Sequence, residues 1–465
     1  MYNSLIIKTA GKGRTEKKMI KAGFSRLCID PPLCTPLSGY YEARYNRGVL
    51  DSLYVSAAAF SDGENQAVII TLDLCMLTTA QSDAYREAAA KTCGIPKESV
   101  FLTCTHTHTG PMIGKDFASE LHGSETYEAC LATRICDAAL YAFADLRGAS
   151  FQSASSSVEN ISFIRRFRMK DGSVQTNPGI DNENIASPLG APDNTLNLLK
   201  ILRSDAEDIY IVNFGTHPDT IGGEMVSADY PGFVRSTVEG ALENVKCIFL
   251  TAPQGDVNHI NPFPKDSDRQ GLCYDSFDGV PRGYEHAKHM GRAIGGEVLK
   301  ICGKALPLEC NTLNFAEKRI SVFVNKENDR IKDAEKILHL HELGRDSELP
   351  FKKMELTTEV ARAKRILDLE KAPDTVDVSI ACITMGDVAF SGFPGEPFVE
   401  IGRIIRKSSP YKANIICCLT NGGDYYFPTK TAYDEGGYEV ATSHLKRGTA
   451  EKLAEESVKL ITELN

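Results

Sequence analysis

Short apolar, β-branched runs alternate with segments of helical spacing along much of this 465-residue chain. The run AVIITLDL precedes the helical pattern AQSDAYREAAAKTC, and DIYIVNFGTH precedes PGFVRSTVEGALENV. This alternation predicts an α/β fold of layered, largely buried sheets flanked by helices. Further strands are expected at CIFLTA, VSIACITM, DVAFSGF and ANIICCL.

Three segments depart from this alternation. Residues 171–195 and 253–282 are rich in Gly, Pro, Asn and Asp, which predicts ordered loops of the kind that often form lids or binding surfaces. Residues 325–372 are strongly charged and have helical spacing, which predicts a helical hairpin inserted into the domain.

The two ends of the chain have their own patterns. Residues 1–20 are expected to form a flexible lead-in, and residues 21–465 a single domain. The closing stretch TAEKLAEESVKLITEL predicts an amphipathic helix with Thr449 as its N-cap. The sequence shows no internal repeat.

Composition narrows the class of partner. The chain has 52 basic and 62 acidic side chains, and the basic ones are scattered, which argues against nucleic acid. There is no apolar run of about 18 residues, so no membrane insertion is expected.

The 14 cysteines lie mostly in apolar runs without a CxxC pair, which favours free thiols in a reducing compartment. With no secretory signal evident, a cytoplasmic protein with a small-molecule substrate is expected.

The stretch THTHTGP places His106 and His108 directly after an apolar run. In extended backbone, residues i and i+2 project to the same side, so one histidine could bind a metal while the other acts beside it. Two surface histidines with ordinary hydrogen bonds would give the same pattern. Spacing alone leaves both interpretations open.

Other candidate ligands also stand where apolar runs stop. His217 ends IYIVNFGTH, Glu396 follows VAFSGFPG, and Tyr425 and Tyr426 follow ANIICCLTNGGD. Open α/β sheets place their sites at the carboxyl ends of strands, and a His, His, Glu set suits zinc. Each of these residues also has an ordinary structural explanation. Glu396 could cap the following helix, His217 could belong to a turn, and Tyr426 could be a half-buried aromatic residue without a ligand. The signals for serine hydrolases, P-loops, zincins and dinucleotide folds are missing.

Several stretches, in this order along the chain, resemble the catalytic domain of the neutral/alkaline ceramidase family. They span most of the sequence, and their order is more specific than any one of them. The stretches are AGFSRLCIDPP, VIITLDL, THTHTGP, NFGTHPDTIGGEMVSADYPG, APQGDVN, FPGEPFVEIGRIIR and YFPTKTAYDEGGYE.

The resemblance implies an α/β zinc hydrolase of amide bonds with one zinc per chain. Its motif positions imply metal ligands at His106, His217, Glu396 and Tyr426. They also imply that His108 and Tyr438 stabilise the reacting carbonyl, and that Arg165 contacts substrate. Tyr426 is preferred to Tyr425 because of its spacing to Thr429, Tyr433 and Tyr438.

The chain departs from the family where GDVSPN is replaced by GDVNHINP. Asn258 stands in place of a serine, and His259 is added. Asp256 and His259 could carry protons or contact substrate, or QGDVN could be a structural turn. Asp73 is expected to orient a ligand histidine.

We therefore expect a zinc-dependent hydrolase that cleaves an amide bond of a soluble small molecule and is not a ceramidase. No C-terminal immunoglobulin-like domain is expected. Two alternatives remain: an esterase, lactonase or deacetylase with the same zinc chemistry, or a non-catalytic homologue that binds metal.

Overall fold

The computed structural model describes residues 19–114, 122–265, 283–327, 329–352 and 354–464. The predicted lead-in and part of the predicted loop 253–282 therefore lie mainly outside the described residues. The described strands, β1 to β22, are Lys21–Cys28, Gly48–Val49, Tyr54–Ser61, Gln66–Leu72, Val100–Cys104, Arg147–Ser157, Phe163–Ile164, Arg166–Met169, Val174–Thr176, Ile185–Pro188, Thr195–Arg203, Asp208–Phe214, Met225–Val226, Val245–Thr251, Val257–Asn258, Leu306–Leu308, Asn314–Phe323, Thr375–Met385, Val388–Gly392, Glu396–Pro397, Ala413–Cys417 and Tyr426–Phe427.

The described helices cover the predicted helical patterns. As α1 to α10 they are Thr79–Cys93, Glu125–Ala144, Asp229–Ala241, Tyr284–Cys302, Ile331–Glu342, Met354–Lys371, Val399–Ser408, Lys430–Glu435, Tyr438–Thr442 and Thr449–Glu463, and short 3-10 turns lie at Lys97–Ser99 and Asp346–Glu348. Among the described helices none combines the length and apolar character needed to cross a membrane.

The same order of elements occurs three times along the chain. Each unit has three antiparallel strands, a helix, a fourth strand parallel to the third, and a closing helix. The units are β1-β3-β4-α1-β5-α2, β6-β11-β12-α3-β14-α4 and β17-β18-β19-α7-β21-α10. This structural repeat leaves no recognisable trace in the sequence.

The first two units share one nine-stranded sheet, joined where β1 pairs with β6, and the third unit forms a four-stranded sheet. Apolar residues from all three units, among them Phe60, Ile211 and Phe390, meet in a common inner core. The outer face of each unit is covered by that unit's own two helices. The expected α/β fold of layered sheets flanked by helices is confirmed.

The fourth strands of the three units meet at their carboxyl ends. Thr251 donates its hydroxyl to the carbonyl of Thr105 at 3.0 Å, and the Cys418 amide donates to the Thr251 carbonyl at 3.0 Å. The Thr103 hydroxyl in turn donates to the Cys418 carbonyl at 3.0 Å. The loops that leave these strands are therefore brought together at one place.

Each unit also carries an insert between its first and second strands. The first insert is residues 29–53, the second is 158–194, and the third is 324–374. The third insert contains α5 and α6, which pack on each other through a small apolar core of their own in the predicted hairpin region. The predicted loop 171–195 belongs to the second insert and includes the short strands β9 and β10.

One predicted helix start is wrong. Thr449 is the first helical residue of α10 and not its N-cap, which is Gly448. The Thr449 hydroxyl donates to the Lys446 carbonyl at 2.7 Å, so it is not an acceptor for the free amides of the first helical turn.

Candidate metal centre

His106, His217 and Glu396 come from three different units and meet at the converged strand ends. His106 follows β5, His217 follows β12, and Glu396 follows β19. All three side chains are buried, with 1 to 3% of their surface exposed. Their ligand atoms lie within 4.8 Å of one another.

The two histidines present their Nε2 lone pairs to this centre. His106 Nδ1 lies 2.7 Å from the Cys75 carbonyl, and His217 Nδ1 lies 3.3 Å from the Gln254 carbonyl. A carbonyl can only accept, so each histidine carries its proton on Nδ1. In the neutral imidazoles that would bind a metal, both Nε2 atoms are thus left as acceptors.

The three acceptor atoms face each other closely. His106 Nε2 and His217 Nε2 are 3.2 Å apart, and Glu396 Oε2 lies 3.4 and 3.2 Å from them. Oε2 accepts no hydrogen bond from the part of the chain that the structure describes. Ligands about 2.0–2.1 Å from a tetrahedral zinc ion are roughly 3.3 Å apart, so the residues fit such a cation.

The pKa shifts at this centre also indicate a site for a cation. Burial lowers the pKa of His106, but the adjacent Glu396 carboxylate overrides this and raises it well above its ordinary value. Burial, together with the neighbouring His106 and Arg165, lowers the pKa of both His217 and His108. A second proton on His106 therefore supplies a positive charge beside Glu396, and a bound metal cation would replace that proton.

A second grouping of potential ligands consists of Cys75, His106 and His108. Cys75 Sγ lies 3.8 Å from His106 Nδ1, the nitrogen that already bonds to the Cys75 carbonyl. We favour the His106, His217, Glu396 set because its three ligand atoms face each other, and because the nitrogens that bond to backbone carbonyls point away from them.

The backbone around the ligands is tightly constrained. His106 has a φ of +77°, in the left-handed region that residues other than glycine seldom adopt, and its amide bonds to the Leu74 carbonyl at 2.9 Å. A Cβ added to Gly255 would lie 2.5 Å from the Glu396 carbonyl oxygen. Only glycine therefore allows the QGDVN loop to pass so close to this ligand.

Tyr426 and Arg165 lie beside the three acceptors. Tyr426 pairs with Glu396 in a short parallel ladder, and its ring is buried. Arg165 donates to the Tyr426 hydroxyl at 3.2 Å and to Glu439 at 2.8 Å, and it lies 3.4 Å from His217 Nε2. Arg165 thus bridges two expected metal ligands.

His108 and Tyr438 border the same centre. His108 Nε2 lies 3.3 Å from His106 Nε2, and the ring packs edge-on against Tyr40. The Tyr438 ring is 6.1 Å from that of Tyr426, and its hydroxyl is 2.7 Å from the Tyr41 hydroxyl. Burial, with a further contribution from Tyr41, raises the pKa of Tyr438 well above its ordinary value, so the hydroxyl stays protonated.

Asp256 and Asn258 have structural contacts. Asp256 Oδ1 accepts from the Val399 amide at 2.8 Å, at the start of α7. The alternative that Glu396 caps this helix is therefore not observed. Asn258 donates to Asn177 at 2.8 Å and accepts from the Ile260 amide at 3.0 Å. A catalytic role for either residue stays a prediction.

The expected role of Asp73 is wrong. Its two carboxylate oxygens pair with Arg235 at 2.9 and 2.6 Å, and one accepts from the Tyr54 amide at 2.9 Å. The carbonyl of Cys75 orients His106 instead. The added His259 places Nδ1 3.0 Å from Asp219 and is buried.

Sequence reasoning missed the residues contributed by the first insert. Arg44 stacks over the Tyr40 ring at 4.2 Å and donates to the His108 carbonyl at 2.8 Å, while Tyr41 bonds to Tyr438. The aromatic and basic stretch GYYEARYNRG was the available signal, because such residues are unusual in a connecting loop.

Comparison with known proteins gives a structural match only. No family model matches the chain, and no curated protein sequence does. The structure is similar to the neutral ceramidase from Pseudomonas aeruginosa, with a TM-score of 0.71 and 15% identity, covering 97% of this chain and 75% of that one. A ceramidase complexed with C2 is similar to the same degree, with 96% of this chain covered. The chain therefore has the fold of neutral ceramidase, at an identity too low to carry over its activity.

Proposed function

We propose that this protein is a zinc-dependent hydrolase that cleaves an amide bond of a small molecule. The observation that carries the proposal is the cluster of three facing acceptors, His106 Nε2, His217 Nε2 and Glu396 Oε2. The ceramidase-like fold supports the same interpretation, since that fold is found in a protein named for cleaving an N-acyl bond. His106, His217, Glu396 and Tyr426 would hold the metal. When bound, zinc lowers the pKa of water and polarises a carbonyl.

The chain's own groups would position a substrate and stabilise the charge that develops on its carbonyl oxygen. Burial keeps the His108 imidazole neutral, so it can donate one N–H. The protonated Tyr438 hydroxyl can donate as well, with the Tyr41 hydroxyl donating to it. Preorganised donors of this kind each lower a barrier by about 3 kcal/mol.

Arg165 would act by holding other groups in place. It is buried, and Glu439 and the Gly255 carbonyl fix its guanidinium against Tyr426 and His217. We therefore propose a positioning role for Arg165, and its expected contact with substrate stays a prediction. Neither His108 nor Tyr438 is needed to hold a metal, which favours catalysis over a purely structural site.

Metal analysis of the full chain tests the proposal. Protein purified without added metal should contain about one zinc per chain. His217→Ala should lose the zinc and the hydrolysis of N-acyl compounds, while His339→Ala, at an exposed position on α5, should keep both. A metal-free wild-type protein, or full activity in His217→Ala, would contradict the proposal. A panel of matched N-acyl and O-acyl compounds separates amide from ester cleavage.

A further inference from the structure

Each of the three inserts contributes a buried arginine near the candidate metal centre. Arg44 comes from the first insert, Arg165 from the second and Arg365 from the third, and 5 to 7% of each residue's surface is exposed. Arg44 donates to the carbonyls of Ser38, His108 and Gly223, and Arg165 pairs with Glu439. These two arginines are built into the walls of the site.

Arg365 occupies a different place, at the outer end of a connected row of phenols. Its guanidinium lies 3.5 Å from the Tyr41 hydroxyl, which is 2.7 Å from the Tyr438 hydroxyl. The Tyr438 ring in turn lies 6.1 Å from that of Tyr426. A small substrate whose carbonyl lies at Tyr438 would therefore extend towards Tyr41 and Arg365.

Arg365 lies on the face of α6 opposite to the apolar face that packs within the hairpin. On α6, Val360, Ala363 and Ile366 are buried against the other helix of the hairpin. Arg365 is buried on that other face, where its guanidinium lies beside Tyr41 of the first insert. The charge of Arg365 is felt at Tyr438. Burial has the larger effect and raises the pKa of Tyr438, although Arg365 and Arg165 both act to lower it.

We propose that Arg365 binds a carboxylate of the substrate and so selects N-acyl compounds that carry one. A guanidinium keeps its charge at every working pH, and its planar fork matches a carboxylate. The third insert is then a specificity element that places a fixed cation beside the reacting carbonyl. This inference rests on the proposed hydrolase function and names its substrate class.

Matched substrate pairs test the inference. N-acetyl-, N-butanoyl- and N-octanoyl-L-alanine are compared with the corresponding alaninamides, which differ only in the carboxylate. Wild-type protein should favour the acids in kcat/KM by at least about tenfold, the size of one charge-assisted hydrogen bond. Arg365→Gln should abolish this preference, and Arg365→Lys should keep part of it.

Arg362→Gln is the matched control, because Arg362 lies on the same helix and pairs with Glu359. It should keep the wild-type preference. A wild-type preference for the amides, or an acid preference that survives in Arg365→Gln, would overturn the inference and leave the hydrolase intact. Unchanged zinc content and melting temperature show that a variant is folded.

Binding separates failure of the inference from failure of the proposed function. If wild-type protein hydrolyses none of the six compounds, the proposed function fails. N-Acetyl-L-alanine should still raise the melting temperature of the zinc-loaded protein more than N-acetyl-L-alaninamide does, and Arg365→Gln should remove the difference. Equal shifts in wild-type protein would overturn the carboxylate site.

Discussion

Replacing Asp256 with asparagine should make the stability of the protein less sensitive to pH. Burial raises the pKa of this carboxyl from 3.8 to about 6, although the hydrogen bond from the Val399 amide opposes the change. A carboxyl whose pKa is raised by folding destabilises the folded state above that pKa and has no such effect below the unfolded value. A rise from 3.8 to about 6 corresponds to about 3 kcal/mol.

The amide oxygen that Asp256→Asn introduces can still accept from Val399, but the new side chain does not ionise. The free energy of unfolding of Asp256→Asn, relative to wild type, should therefore rise by about 2.5 kcal/mol between pH 4, where a small part of the effect is already present, and pH 7.5. Urea unfolding with excess chelator at both pH values measures this difference without a contribution from metal binding. Asp171→Asn is the control, because this carboxyl is exposed and hydrogen bonds from Ser173 lower its pKa.

The same variant distinguishes a helix cap from a proton carrier. If Asp256 only caps α7, kcat of the zinc-loaded variant should equal that of wild type. A fall of about 100-fold or more with zinc retained would assign it a role in proton transfer. A relative stability that does not change with pH would refute the reasoning about its buried charge.

Three further variants test the centre and its surroundings. Asp73→Asn should lower the free energy of unfolding by about 3 kcal/mol or more, because it leaves Arg235 buried without its partner, yet zinc content should not change. If Asp73→Asn did lose its zinc, that result would support a role for Asp73 in orienting a ligand histidine. Glu396→Gln should lose the stabilisation by zinc, about 3 kcal/mol at 100 times the dissociation constant, seen as a melting temperature that no longer rises with added metal. Tyr438→Phe should keep its zinc but lose about 100-fold in kcat, and an unchanged kcat would exclude its hydroxyl from stabilising the carbonyl oxygen.

Much of the fold could be predicted because buried strands need apolar runs whatever their surroundings. The runs ending at Leu72, Cys104 and Phe214 are strands in the structure, as expected. The threefold order of elements could not be predicted in this way. The three inserts differ in length and composition, so no sequence period survives them.

The rule that sites lie at the carboxyl ends of strands predicted the candidate ligands, but it did not predict the groups that orient them. His106 and His217 stand out because a histidine directly after an apolar run has few other reasons to be there. The Cys75 and Gln254 carbonyls that fix their tautomers belong to the backbone and leave no side-chain pattern. Hydrogen-bond partners of this kind become visible only when the loops are folded together.

Arg365 shows a different limit of sequence reasoning. It lies in a strongly charged segment whose composition predicts a solvated helical surface, and most charged side chains there are indeed exposed or half-buried. Only the docking of the hairpin shows that this one arginine faces Tyr41, which lies more than 300 residues away along the chain. Contacts between such distant residues are set by tertiary packing.

X-ray diffraction recorded on both sides of the zinc absorption edge tests the central claim most directly, using crystals of the full chain purified without added metal. We expect one anomalous peak per chain, about 2.0–2.2 Å from His106 Nε2, His217 Nε2 and a Glu396 carboxylate oxygen. A peak centred instead on Cys75 and His108, or no peak between the two imidazoles, would contradict the proposed metal centre.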